Sequence, residues 1–177
     1  MKTIARLFPL LLVASLYAQP ADPGGWTKIK WGMTFAQVRA LYPAAVESRD
    51  SYWSHLTLPD ISVSGVPFRV SVLAKTPASP IAAVSLTCSF GLRADPQWAS
   101  CNGPEDFDTL KALLLEKYGR QKNEEHKVEF GDPAHLFLWV FPTTSIQLEI
   151  RQTARVPSLG SLSIEYRPID PQAAGAL

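Results

Sequence analysis

Val84-Ser85-Leu86-Thr87-Cys88-Ser89-Phe90 alternates apolar and small polar side chains without a break. Successive side chains of a strand point to opposite faces. The run therefore predicts a half-buried strand, with Val84, Leu86, Cys88 and Phe90 in a core and the hydroxyls on the other face. Leu162, Ile164 and Tyr166 repeat the alternation near the end of the chain. Further strand-like runs cover 52–58, 63–74 (interrupted at Gly65-Val66-Pro67), 125–130, 135–141 and 145–152. Gly131-Asp132-Pro133 and Pro142-Thr143-Thr144 supply hairpin turns between the later runs.

Two stretches have the helical period instead. Phe35, Val38, Leu41 and Tyr42 fall on one face, and Pro43 ends the ladder. Thr34 and Gln37 have the spacing of a capping box, and Met33 with Val38 that of a hydrophobic staple. Phe107, Leu110, Leu113, Leu114 and Tyr118 form the second stripe. Pro104 opens it and Gly119 closes it, with Glu105, Asp106 and Asp108 near the start and Lys117 and Arg120 near the end. Each stripe precedes a set of strands. The predicted fold class is α+β, as two tandem units, each a helix followed by a three- to four-stranded antiparallel sheet. The units would cover 26–92 and 93–167, with a flexible lead-in at 19–25 and a flexible tail at 168–177.

A chain of 177 residues, 46% of them hydrophobic, is rich enough in apolar side chains for such a core. Residues 1–18 stand apart. Lys2 and Arg6 precede a short apolar run, 7–17, and Ala18 suits the cleavage position of a secretory signal peptide. The run is short of the ~20 apolar residues a bilayer span needs, so no stable membrane anchor is predicted. Removing 1–18 changes the charge balance from 17 − 16 = +1 to 15 − 16 = −1. A near-neutral chain with interspersed charges lacks the basic field of a nucleic-acid partner. The reading is an exported protein, periplasmic or extracellular. In an oxidising compartment the two cysteines, Cys88 and Cys101, are predicted to form a disulfide.

Gly32-Met33-Thr34-x-x-Gln37-Val38 resembles the helix start of the small outer-membrane-assembly lipoproteins. Those proteins share a helix-pair-plus-antiparallel-sheet fold with β-lactamase inhibitor protein, itself a tandem of two such units. The lipoproteins carry an acylated N-terminal cysteine, which has no counterpart near position 18 here. The resemblance implies a noncatalytic scaffold that binds another protein.

The residues carry no nucleophile–base signature, phosphate loop or dinucleotide fingerprint. His55, His126 and His135 lack the helical spacing of a metal pair, and Glu124-Glu125-His126 reads as a solvated hairpin start. No catalytic residue, metal or cofactor is predicted. Binding is read instead from 135–141. If the hairpin pairs around Thr143, Leu136, Leu138 and Val140 face a helix-covered core with Ile146, Leu148 and Ile150. His135, Phe137, Trp139 and Phe141 then occupy the opposite face, beside Glu149 and Arg151, with Trp53 and His55 extending the surface. Aromatics rimmed by polar groups are typical of protein-binding hot spots. The predicted function is an exported noncatalytic module that uses this aromatic face to bind a protein partner. The alternative is a carrier of a small apolar ligand or lipid, held in a groove between the two sheets.

Overall fold

The computed structural model describes residues 20–91, 99–129 and 131–169. In chain order the elements are β1 (Gly25–Trp26), β2 (Ile29–Lys30), α1 (Phe35–Leu41), β3 (Val46–Arg49), β4 (Ser54–Val63), β5 (Val66–Ala74), β6 (Ile81–Phe90), α2 (Pro104–Tyr118), β7 (Asn123–Glu129), β8 (Asp132–Val140), β9 (Thr144–Thr153) and β10 (Val156–Pro168). β1 and β2 form a small hairpin. The other eight strands form one antiparallel sheet in the order β3-β4-β5-β6-β10-β9-β8-β7.

The predicted α+β pair of tandem units is therefore overturned. Strand dominates the described residues, only two helices occur among them, and a single sheet runs through both 26–92 and 93–167. The reason lies in β6 and β10. At the edge of a separate sheet each would expose a row of unpaired N–H and C=O groups. Pairing them, from Gly160↔Phe90 to Tyr166↔Val84, closes both edges and sets Leu162 and Ile164 beside Cys88 and Leu86. Periodicity identifies a strand but does not choose its neighbour. Among the described residues the eight strands form one sheet, so the expected groove between two such sheets is not formed there.

Alternation assigns the two faces. Leu56, Leu58, Val70, Val72, Val84, Leu86, Leu162, Ile164, Ile146 and Leu148 are buried in one continuous cluster that includes Phe35 and Val38 of α1 and Phe107, Leu110 and Leu114 of α2. Both helices thus lie on the same face. The irregularity between Leu58 and Ile61 in the β4–β5 ladder keeps both residues on the core side of a bent strand. Gly160 marks a close approach: a Cβ there would sit 2.1 Å from the Arg151 carbonyl oxygen and 2.4 Å from the Phe90 ring.

The start of α1 follows the sequence reading. The N–H of Thr34 donates to Gln37 Oε1 at 2.9 Å, Val38 is fully buried, and Met33 packs against the cluster. The N–H of Phe35 donates to the Pro77 carbonyl and that of Ile81 to the Met33 carbonyl, which docks the helix on the β5–β6 connection. Trp31 Nε1 donates to Thr144 Oγ1 at 2.8 Å, so the same stretch also reaches the start of β9.

Parts of the predicted lead-in and tail are anchored. Asp22 accepts from the N–H of Gly24 at 3.0 Å and of Thr143 at 2.6 Å, and Gly25 pairs with Lys30. At the other end, β10 continues to Pro168, and Ile169 N–H donates to the Thr143 carbonyl. Residues 1–18, predicted as a signal peptide, and 170–177 of the tail lie outside the described residues. Cys88 and Cys101 are joined, with Cα atoms 5.9 Å apart, as their spacing predicts. The bridge is compatible with an oxidising environment. No helix among the described residues is long and apolar enough to cross a membrane.

Candidate functional site

The aromatic face of β8 is the covered face, which corrects the face assignment made from the sequence. Phe137 is 0% and Trp139 1% exposed. α2 covers them: the Phe107 ring lies 5.8 Å from Phe137 and 5.5 Å from His135. Lys111 Nζ sits 4.2 Å above the Phe137 ring. Trp139 Nε1 donates to the carbonyl of Gly119, the C-cap of α2, at 2.9 Å. Phe141 is half-buried, edge-on to Tyr118 at 5.6 Å.

The cause is one residue of register. Phe141 N–H donates to the Thr144 carbonyl, so Pro142 and Thr143 alone make the turn. The ladder then pairs Trp139 with Ile146, Phe137 with Leu148 and His135 with Ile150. Pairing around Thr143 would have put these side chains on opposite faces, because a one-residue slip flips every side chain. Pro142 has no N–H to give to a ladder, which favours its place inside the turn.

Of the predicted site residues, Trp53, His55, Glu149 and Arg151 lie on the other, helix-free face. There Leu136 pairs with Glu149, and Ala134 pairs with both Arg151 and Lys127. The small Ala134 side chain lets the charges on either side meet. Arg151 bridges Glu149 at 2.7 Å and also Glu129, while Lys127 bridges Glu129 and approaches Glu149 to 3.8 Å. Glu129 is held below its ordinary carboxylate range, first by the Lys127 hydrogen bond and then by that of Arg151. Gln147 donates to Glu149 at 2.8 Å, completing a closed polar lattice.

The far corner of this face is built differently. Tyr52 is 80% exposed and precedes half-buried Trp53. Asp50 fixes both: its Oδ1 accepts from the N–H of Tyr52 at 2.7 Å and of Trp53 at 2.8 Å, and its Oδ2 meets His55 Nε2 at 2.7 Å. Lys75 Nζ stands 5.7 Å from the Trp53 ring. The bonds from the Tyr52 and Trp53 amides, then from His55, lower the Asp50 pKa from 3.8 to about 2. A depressed carboxylate contributes order that is present above its unfolded value and lost as pH falls through its folded one. The 50–53 turn should therefore loosen between about pH 4 and pH 2. The amide resonances of Tyr52 and Trp53 should shift together across that range. In Asp50→Asn they should already be displaced at neutral pH and should not titrate there.

A third arrangement escaped the sequence reading. Among the described residues, Glu124, His126 and His135 bring one donor atom each within 4.8 Å of one another. His126 and His135 are directly paired across β7 and β8, and their rings stack at 3.7 Å. His135 Nε2 lies 3.0 Å from Glu124 Oε1. All three are on the helix side, where His126 and His135 line a cavity of about 530 Å³ together with Pro104, Phe107, Asp108 and Lys111 of α2. The Gly131-Asp132-Pro133 turn held the signal: folding 123–129 onto 132–140 opposes the two histidines.

Comparisons of the chain with protein-family models, with curated proteins and with solved structures each find no match, so the reading of its function rests on this geometry.

Proposed function

We propose that the protein is an exported, noncatalytic module that binds a protein partner through the helix-free face of its sheet. The observation that carries this reading is the Tyr52–Trp53 corner. Tyr52 stands in solvent beside half-buried Trp53, on a turn whose backbone is already fixed by Asp50. Aromatic anchors held rigid before binding contribute contact area at little ordering cost, which is the usual character of hot spots. Four strand spacings separate β4 from β9, about 19 Å. Glu149 also lies four residues along the strands from the row of His55, about 13 Å, and an interface of ~800 Å² per partner, roughly 30 Å across, still spans from His55 to Glu149. The predicted aromatic anchors Phe137 and Trp139 have no part in it. Export, to the periplasm or the exterior, is supported by the apolar run at 7–17 and by the Cys88–Cys101 bridge.

The test is photo-crosslinking in the exported fraction of the source cell. p-Benzoylphenylalanine placed at position 52 should give one dominant protein adduct. Trp53→Ala should remove that adduct while leaving the thermal midpoint within a few degrees, since a half-exposed side chain carries little of the core. The same probe at position 111, on α2, should not capture that partner. Absence of a dominant adduct at position 52, or an equal one from position 111, would overturn the reading.

A further inference from the structure

We propose that Glu124, His126 and His135 form a binding site for a divalent transition-metal ion, of which zinc is the reference case. The site is independent of the partner-binding face: it lies on the opposite side of the sheet and at its other edge, on β7 rather than β3. Three observations converge on it.

The first is the donor set. Two imidazoles and one carboxylate are the ligands that zinc takes in open sites, where three protein ligands leave a fourth position for water or an exogenous group. Imidazole also suits copper and nickel, whereas the hard cations calcium and magnesium prefer all-oxygen cages. The second is the placement. The histidines face each other across one ladder rung, and Glu124 is one same-face position along β7 from His126, next to His135. Strand pairing thus fixes three backbone anchors before any ion arrives. Ligands at ~2.0–2.1 Å from zinc stand about 3.3–3.5 Å from one another in a tetrahedron. The donors are already within 4.8 Å, and Glu124 Oε1 is 3.0 Å from His135 Nε2, so side-chain rotation closes the set. The third is access. Glu124 and His126 are exposed, His135 is half-buried, and the adjoining cavity of about 530 Å³ leaves room at the fourth position.

The surroundings moderate the charge. Asp108 and Lys111 both line the cavity from α2, one of each sign, and Lys111 is engaged by the Phe137 ring. Lys127 also borders the cavity, but its ammonium is paired with Glu129 on the other face. The remaining surround is apolar apart from Gln152: Val128, Pro133 and Ile150 line the cavity, and Phe107 and Phe137 lie 5.5 Å and 4.8 Å from His135. β7 is the last strand of the sheet and is held from one side only. An ion shared between β7 and β8 would clamp that edge.

The experiment is zinc titration of the oxidised mature chain, without a histidine tag, followed by calorimetry and by thermal unfolding. One zinc ion should bind with a Kd at or below about 10 µM and should raise the unfolding midpoint. Losing a group that merely orients a metal ligand costs ~10–100-fold in affinity, so His126→Gln or His135→Gln should cost at least about 100-fold. Glu124→Gln should weaken binding as well. The third histidine is the internal control: His55 is bound to Asp50 elsewhere, and His55→Gln should leave zinc affinity unchanged. Cobalt should give a visible absorption band that is lost in His126→Gln. His126 is exposed, so that variant keeps the fold, and circular dichroism checks it. Binding weaker than this, more than one equivalent site, or an affinity indifferent to His126→Gln would overturn the proposal.

Discussion

Trp139→Ala should lose about 3–5 kcal/mol of folding stability, the usual cost of truncating a fully buried aromatic. Typical domains are stable by ~5–15 kcal/mol, so this single change removes from about a fifth to all of the total and in a marginal host abolishes folding. Two terms contribute. The indole is 1% exposed and packs in the core beside the end of α2, so its truncation leaves a cavity. Its N–H also satisfies the Gly119 carbonyl at the end of α2, a position where helices leave carbonyls without internal partners. Trp139→Phe separates the two. It keeps most of the ring and removes the donor, so it should cost nearer 1–2 kcal/mol. Urea unfolding of the two variants, beside Trp53→Ala as a surface reference, checks the ordering. A Trp139→Ala protein as stable as its parent would mean that the aromatic face is not the core.

That expectation reverses the one drawn from the amino-acid sequence, and the reason is instructive. The period-two pattern of 135–141 was legible, and so was the pattern of 145–152. What it could not show is which parity faces the helices. Both sets of alternate residues in β8 are apolar: Leu136, Leu138 and Val140 on one, Phe137 and Trp139 on the other. In β6 the alternation is between apolar and hydroxyl side chains, and there the core face was read without difficulty. In β8 the decision falls to the turn, where a two-residue loop rather than a centred one moves the aromatics inward.

Local signals fared better than long-range ones throughout. The Thr34–Gln37 cap, the Pro104 start of α2 and the Gly119 stop depend on neighbours in the chain and were readable. The β6–β10 pairing joins residues 70 to 82 positions apart, and nothing in either strand names the other. The candidate sites divide in the same way. Parity keeps Trp53 and His55 together, but the sheet puts them on the helix-free face, opposite Phe137 and Trp139, whose surface they were expected to extend. The Glu124–His126–His135 cluster needed the hairpin register, which only becomes visible once the Gly131 turn is folded and residue 126 is counted back against 135.

Removing the disulfide is the second change with a large expected effect. Thirteen positions separate Cys88 from Cys101, and closing a loop of that size stabilises by about 3 kcal/mol in the chain-entropy model. The bridge does more than shorten the unfolded chain. Cys88 is fully buried in β6, and Cys101 leads into α2. Between them the N–H of Ser89 donates to the Ala99 carbonyl and the N–H of Cys101 to the Ser89 carbonyl, so residues 99–101 lie along β6. Phe90 packs against Gly103, directly before the first turn of α2. Cys88→Ala with Cys101→Ala should therefore lower the unfolding midpoint by roughly 6–12 °C, at the ~2–4 °C per kcal/mol of a chain this size. Because α2 is the cover over Phe137 and Trp139, the loss should be cooperative rather than confined to the 99–103 segment. Amide exchange should then speed up in β8 as well as in β6. The wild-type protein melted in reductant should fall to the midpoint of the double variant, and the variant itself should ignore the reductant. A reduced protein that keeps its midpoint would show that packing of 99–103 on β6, not the covalent link, holds α2 over the sheet.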